Sequence, residues 1–275
     1  MASLHKLGRC RLCFKAGDLC LSHFVPKALY RLVMAGSSRK NRHPLQITAV
    51  GFKQTSKQAM QFLLCSECEQ RFNRDGENWI LKHCYRGRGV FRLRDHLKSS
   101  SPVYSSSDAE VYSAAQVPNV LIDDIVYFAL SVIWRAAVVD WLPAARRYEA
   151  ISLGKYEEEI RQYLLRHRTL PERIAVGVMI SGLETPVLAF NFPGAFRVDA
   201  CHCYRFHIPG ITFVVSVGKE AQASFGDSCI ARSSLHPIII GKDGDRFVQR
   251  EIMGLMGKVA PPWGEYPLVN GVERS

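Results

Sequence analysis

The sequence lacks the long apolar runs that mark exported and membrane-spanning proteins. Its first residues lead directly into a cysteine pair, without the apolar run that a signal peptide needs. The most apolar stretch, residues 125–141, contains Arg135 and Asp140, so we expect a buried helix there rather than a membrane span. Both absences predict a cytoplasmic protein that does not associate with a membrane.

The C-terminal part of the chain lacks the short motifs of several large enzyme classes. Residues 119–275 contain no phosphate-binding Walker loop, no dinucleotide-binding fingerprint and no nucleophile elbow. The chain also has no internal repeat. A long apolar helix and a nearly balanced charge suit a regulatory, self-associating or partner-docking role for this part.

Acidic residues are scarce in the first third of the chain. Residues 1–98 contain 19 Lys and Arg against 6 Asp and Glu, a net charge of +13. The whole chain has 36 Lys and Arg and 25 Asp and Glu, so residues 99–275 contain 17 basic and 19 acidic residues, a net charge of −2. Such clustering favours neutralisation of nucleic-acid phosphates, although the alternative is an ordinary solvated basic surface. The candidate phosphate contacts are Arg39, Lys40, Arg42, Arg86, Arg88, Arg92 and Arg94.

Composition and periodicity predict an α+β protein with two domains. A small, polar, serine-rich stretch over residues 99–118 separates residues 1–98 from residues 119–275, and its composition predicts a linker. Periodicity predicts helices over 26–34, from about 65, over 123–141 and over 155–165. It predicts strands over 19–24, 45–52, 58–64, 174–180, 187–192, 201–208 and 211–217. Helices followed by contiguous strands are typical of a C-terminal α+β domain with antiparallel strands.

The nine cysteines form the strongest single pattern. An odd number in a protein expected to be cytoplasmic argues against a disulfide framework. Two Cys-x2-Cys pairs supply the four thiolates of a tetrahedral structural zinc site, which we predict at Cys10, Cys13, Cys65 and Cys68. Four unrelated buried thiols or a redox pair are the alternatives, and Cys20 or Cys84 could replace a ligand.

Cys201-His202-Cys203 is a second, weaker metal candidate. Alternation along a strand would point the two cysteines to one face of a sheet and the histidine to the other. We therefore expect ordinary strand residues here.

The residues around the cysteine pairs resemble a known family. Ser22-His23-Phe24-Val25-Pro26 follows the first pair, and Leu63-Leu64-Cys65-x2-Cys68-Glu69-Gln70-Arg71-Phe72-Asn73 surrounds the second. Over about residues 10–78 this layout resembles the zinc-containing HNH (His-Me finger) endonucleases. The resemblance implies a ββα-metal module and a metal-dependent hydrolase of DNA phosphodiester bonds. Small HNH proteins with such an appendage resemble bacterial nuclease effectors, including those of anti-phage defence.

The resemblance also implies roles for individual residues. His23 would be the general base, and Mg²⁺ or Mn²⁺ would be held by Ser22, Glu69 and Asn73, with Glu77 as a further candidate. Glu69 and Asn73 are four residues apart and share one face of a helix, where their oxygens suit such a cation.

Two departures from the family pattern keep other interpretations open. Ser22 stands where the family has a stronger ligand, and the asparagine that orients the base is absent, so Gln61 or a backbone carbonyl would have to act instead. The alternatives are a non-catalytic zinc module that binds nucleic acid or a protein partner, and a thiol-based redox or metal sensor.

Overall fold

A computed structural model describes residues 5–35, 45–48, 51–141, 151–219, 221 and 226–242, and it confirms a mixed α and β protein. The elements of the N-terminal part are β1 (His5–Arg9), β2 (Ala16–His23), α1 (Lys27–Ala35), β3 (Leu45–Thr48), β4 (Gly51–Gln54), β5 (Met60–Cys65), α2 (Ser66–Phe72), α3 (Asn78–His83) and α4 (Arg92–Lys98). A three-stranded antiparallel sheet has the order β1-β2-β5, and β3 pairs with β4 separately. Helix α2 begins directly where β5 ends.

The rest of the chain forms a larger sheet with two helices. Its elements are β6 (Tyr104–Ser105), β7 (Ala109–Ser113), α5 (Ile122–Val138), α6 (Tyr156–Leu164), β8 (Ile174–Ser181), β9 (Gly194–Val198), β10 (Cys201–Ile208), β11 (Ile211–Val217) and β12 (Pro237–Gly241). The strand order is β6-β7-β12-β8-β11-β10-β9. Neighbouring strands are antiparallel, as predicted, except that β12 runs parallel to β8.

A π-helical segment, Asn73–Glu77, joins α2 to α3. The Asn78 amide donates to the carbonyl of Asn73, five residues back, so one extra residue is inserted into the turn. A Cβ atom on Gly76 would lie 2.9 Å from the Phe128 amide nitrogen, and only glycine allows this approach to α5. The segment therefore lies directly on the long helix.

The two parts share one hydrophobic core. Buried side chains from the cysteine-rich part through to β12 form one continuous cluster, and the Arg71 guanidinium donates to the Leu165 carbonyl at 2.6 Å. The predicted linker, residues 99–118, contributes β6 and β7 to the large sheet. Ser106 and Ser107 lie between these two strands, while Val111 and Tyr112 lie in the paired strand β7.

The strand predicted over 187–192 is wrong. The ring of Phe192 stacks on Phe24 with centroids 4.2 Å apart, and the ring of Phe190 packs edge-on against Tyr30 at 4.8 Å. These apolar side chains cover the N-terminal part instead of alternating in a sheet, and the strand forms later, at β9.

Among the described helices, including the apolar α5, none has the length and hydropathy that a membrane crossing requires.

Candidate functional site

The four predicted zinc ligands come together at one end of the small sheet. Their sulfur atoms all lie within 4.8 Å of one another, and those of Cys13 and Cys65 are 3.7 Å apart. Sulfur atoms around a tetrahedral zinc ion are about 3.8 Å apart, given Zn–S bonds of about 2.3 Å. The donor set therefore fits zinc, with Cys10 and Cys13 in the turn between β1 and β2 and the other two at the start of α2.

The thiols of this four-cysteine cluster perturb one another strongly. The pKa of Cys10 is lowered to about 4, chiefly because Cys68 hydrogen-bonds to its sulfur, with smaller contributions from the backbone around the site. The same contact raises the pKa of Cys68. A bound cation would displace protons from these thiols, because cysteine binds metal as the thiolate.

Cys201 and Cys203 are buried and His202 is exposed, so the expected alternation across β10 is confirmed. The two cysteines pack in a small apolar cluster with Cys229. Within the described parts of the chain, the only group of three or more close metal-ligand side chains is the four-cysteine cluster.

His23 is the last residue of β2. Its Nε2 atom is shielded from solvent and has no hydrogen-bond partner among the described residues. Burial lowers the pKa of His23, while a side-chain hydrogen bond with Gln58 acts in the opposite direction. The imidazole is therefore neutral at neutral pH, and its partner is Gln58 rather than Gln61, which donates to the Asp140 carbonyl at 3.0 Å.

Ser22 and Glu69 contact each other directly. Ser22 is fully buried, and its hydroxyl donates to Glu69 Oε2 at 2.8 Å. Burial raises the pKa of Glu69, while nearby Arg135 and the Ser22 hydroxyl lower it and Glu77 raises it. Strand β2 and helix α2 thus hold these two predicted ligands in one hydrogen bond.

Arg135 of α5 supplies positive charge to the same site. Its guanidinium forms an ion pair with Glu77 and donates to the Phe24 carbonyl at 3.1 Å, next to His23. The guanidinium also lies over the Phe72 ring, 4.6 Å from its centroid, and the side chain is only 1% exposed. Ser22, His23, Glu69, Glu77 and Arg135 together form what we call the buried polar cluster.

The buried polar cluster does not fit the predicted cation. A divalent ion needs free oxygens converging on one point, whereas Glu69 accepts from Ser22 and Glu77 pairs with Arg135. Asn73 is exposed at the start of the π-helical segment. The extra residue of that segment brings Glu77 close enough to Glu69 for its charge to raise the pKa of Glu69.

The predicted phosphate contacts divide into three groups. Arg86, Arg88 and Arg92 are exposed. Arg94 is buried, donates to the Leu183 carbonyl and lies over the Phe91 ring, so its guanidinium is turned away from any phosphate. The remaining predicted contacts lie outside the described residues: Arg39, Lys40 and Arg42.

Comparison of the chain with protein-family models, with curated proteins and with solved structures finds no match. The family resemblance therefore rests on the residues quoted from the sequence. Two residues of the site, Gln58 and Arg135, could not be recognised from the sequence. Gln58 belongs to no family motif, and Arg135 lies 58 residues beyond Glu77, inside an apolar helix.

Proposed function

We propose that the protein is a zinc-stabilised endonuclease of the HNH type that hydrolyses phosphodiester bonds in DNA. The observation that carries this proposal is the His23 imidazole, whose Nε2 has no partner among the described residues and whose pKa is lowered. A neutral imidazole can take a proton from water at neutral pH. The basic excess of the N-terminal third provides attraction for the substrate.

In this proposal, neighbouring residues of the chain orient the His23 imidazole, which acts as the general base. Gln58 bonds to the His23 ring, and Arg135 fixes the following backbone carbonyl at Phe24. Because Nε2 is shielded from solvent, the proposal requires DNA docking to expose it. No step is assigned to Mg²⁺ or Mn²⁺, since the acidic residues are bound to Ser22 and Arg135.

Plasmid nicking tests the proposal. Purified protein is incubated with supercoiled DNA in the presence of Mg²⁺, Mn²⁺ or EDTA. We expect nicking by the wild type and a loss of at least about a hundredfold in His23→Ala, because general-base catalysis contributes at least that much. The control is His202→Ala, which removes an exposed histidine from β10. Equal nicking by His23→Ala and His202→Ala would contradict the assignment of the base.

The second candidate is a zinc module that binds nucleic acid without cutting it. Three observations favour it: Glu77 is paired with Arg135, Glu69 accepts a hydrogen bond from Ser22, and Nε2 of His23 is shielded from solvent. Binding of DNA by a wild-type protein that nicks under none of these conditions would select this candidate.

A further inference from the structure

A surface groove lies between α3, α4 and the start of α5, and it has a volume of about 640 Å³. It is separate from the buried polar cluster, because Glu77 turns inward to Arg135. The residues that line the groove from α3 and the preceding turn include Arg74, Asn78 and Lys82, which are four apart and all exposed. Its volume lies within the roughly 300 to 1,000 Å³ usual for ligand sites.

Two of the groove's cations are not neutralised by the protein. Lys82 and Arg92 are exposed, and neither forms an ion pair within the described part of the chain. Arg74 is paired with Asp75 at 2.6 Å and contributes less. Two carboxylates, Asp95 and Asp124, also line the groove. The charge of each is offset by an arginine that does not line it: Asp95 lies 3.7 Å from Arg94, and Asp124 is near Arg166.

A pair of histidines lies beside these cations. The ring of His83 stacks on the indole of Trp79 at 4.0 Å, and its Nδ1–H donates to the Trp79 carbonyl at 2.7 Å. The His96 ring lies 5.6 Å away. Burial has the largest effect and lowers the pKa of His83; the hydrogen bond to the Trp79 carbonyl raises it, and the nearby His96, Arg92 and Lys82 lower it. The charges around His83 are therefore predominantly positive, which suits an anionic ligand.

We propose that this groove binds a phosphate of a nucleic-acid backbone, with Lys82 and Arg92 as the charged contacts and His83 beside them. Arginine's planar fork and lysine's point charge both suit phosphate oxygens, and the exposed Leu121 at the rim gives a sugar or base an apolar neighbour. The inference rests on the proposed function, since it places the substrate on the outer face of α3. Lys82 and His83 thereby join Arg92 as contacts, while the buried Arg94 does not.

Binding of a short fluorescein-labelled DNA duplex, measured by anisotropy over a range of salt concentrations, tests the groove. All proteins carry His23→Ala, so that cleavage cannot disturb the measurement. We expect Lys82→Glu/Arg92→Glu to weaken binding by about tenfold or more and to flatten the slope of log K against log salt by about two, one for each lost phosphate contact. The matched control, Arg168→Glu/Arg173→Glu, reverses two exposed charges elsewhere and should change both quantities much less.

Equal affinity and salt slope for the groove and control variants would overturn the proposal, as would absence of DNA binding by the parent protein. Histidine resonances give a second readout, because a phosphate in the groove should raise the pKa of His83 when duplex or inorganic phosphate is added. A response to inorganic phosphate but not to duplex would also overturn it. Duplex binding through the groove, combined with no nicking by the wild-type protein, would overturn the endonuclease proposal alone.

Discussion

The four-cysteine cluster and the buried polar cluster both contain residues of the three-stranded sheet and of α2, but they balance their charges differently. The cysteine sulfurs lie within 4.8 Å of one another, and the contact between Cys10 and Cys68 lowers the pKa of one thiol and raises that of the other. In the buried polar cluster, by contrast, Glu77 is neutralised by Arg135 from the distant helix α5. One cluster is arranged to take an ion, and the other carries its own positive charge.

Removal of a cysteine ligand should have the largest effect. We expect Cys65→Ser to lower bound zinc from about one ion per chain and to cost on the order of 5 kcal/mol or more in unfolding free energy, because a structural zinc site contributes directly to folding. Cys20→Ser is the control, since Cys20 lies on β2 outside the four-cysteine cluster. Metal analysis and denaturant unfolding measure both quantities; unchanged zinc content in Cys65→Ser would remove the predicted site.

Loss of the internal cation should have the next largest effect. Arg135→Met leaves Glu77 partly buried without its partner, so we expect a loss of about 3 to 5 kcal/mol in unfolding free energy. Adding Glu77→Gln should recover part of that loss, because the uncompensated charge disappears. The control is Lys15→Met, which breaks a solvent-exposed ion pair with Glu67 and should cost far less stability, because water and salt screen exposed charges. Simple additivity of the two substitutions in urea unfolding would show that Arg135 and Glu77 are not coupled.

The same contrast explains what the sequence could predict. The spacing of the two Cys-x2-Cys pairs along the chain was sufficient to predict the four-cysteine cluster. The periodicity of apolar residues was sufficient to predict α5, β10 and β11. The partner of Glu77 was not predictable, because Arg135 is contributed by a long-range contact that depends on the approach of Gly76 to α5. Strand β12 was missed for a similar reason: its neighbours β7 and β8 are far from it in sequence. Local patterns reveal ligands that occur in pairs, and they do not reveal charges supplied from elsewhere.

The substitution Ser22→Asp tests whether the buried polar cluster can bind a divalent cation once it has a further carboxylate. The new carboxylate would face Glu69, whose Oε2 lies 2.8 Å from the Ser22 hydroxyl, so we expect a loss of about 2 kcal/mol without metal. Ser22→Ala, the control, loses one hydrogen bond and should cost about 1 kcal/mol. If the predicted cation can bind, Mn²⁺ should raise the melting temperature of Ser22→Asp but not of Ser22→Ala. No effect of Mn²⁺ on either variant would count against a cation at these residues.

Asn73→Ala should have the smallest effect, although the family resemblance gives Asn73 a ligand role. Its side chain is exposed, and the π-helical segment depends on its backbone carbonyl, which accepts from the Asn78 amide. We therefore expect the unfolding free energy to change by less than about 0.5 kcal/mol. Glu69→Ala is the comparison, because it breaks the contact with Ser22 inside the buried polar cluster. If Asn73→Ala lowered plasmid nicking as much as Glu69→Ala while leaving stability unchanged, Asn73 would have to turn inward during the reaction, and the buried polar cluster described above would not be the active arrangement.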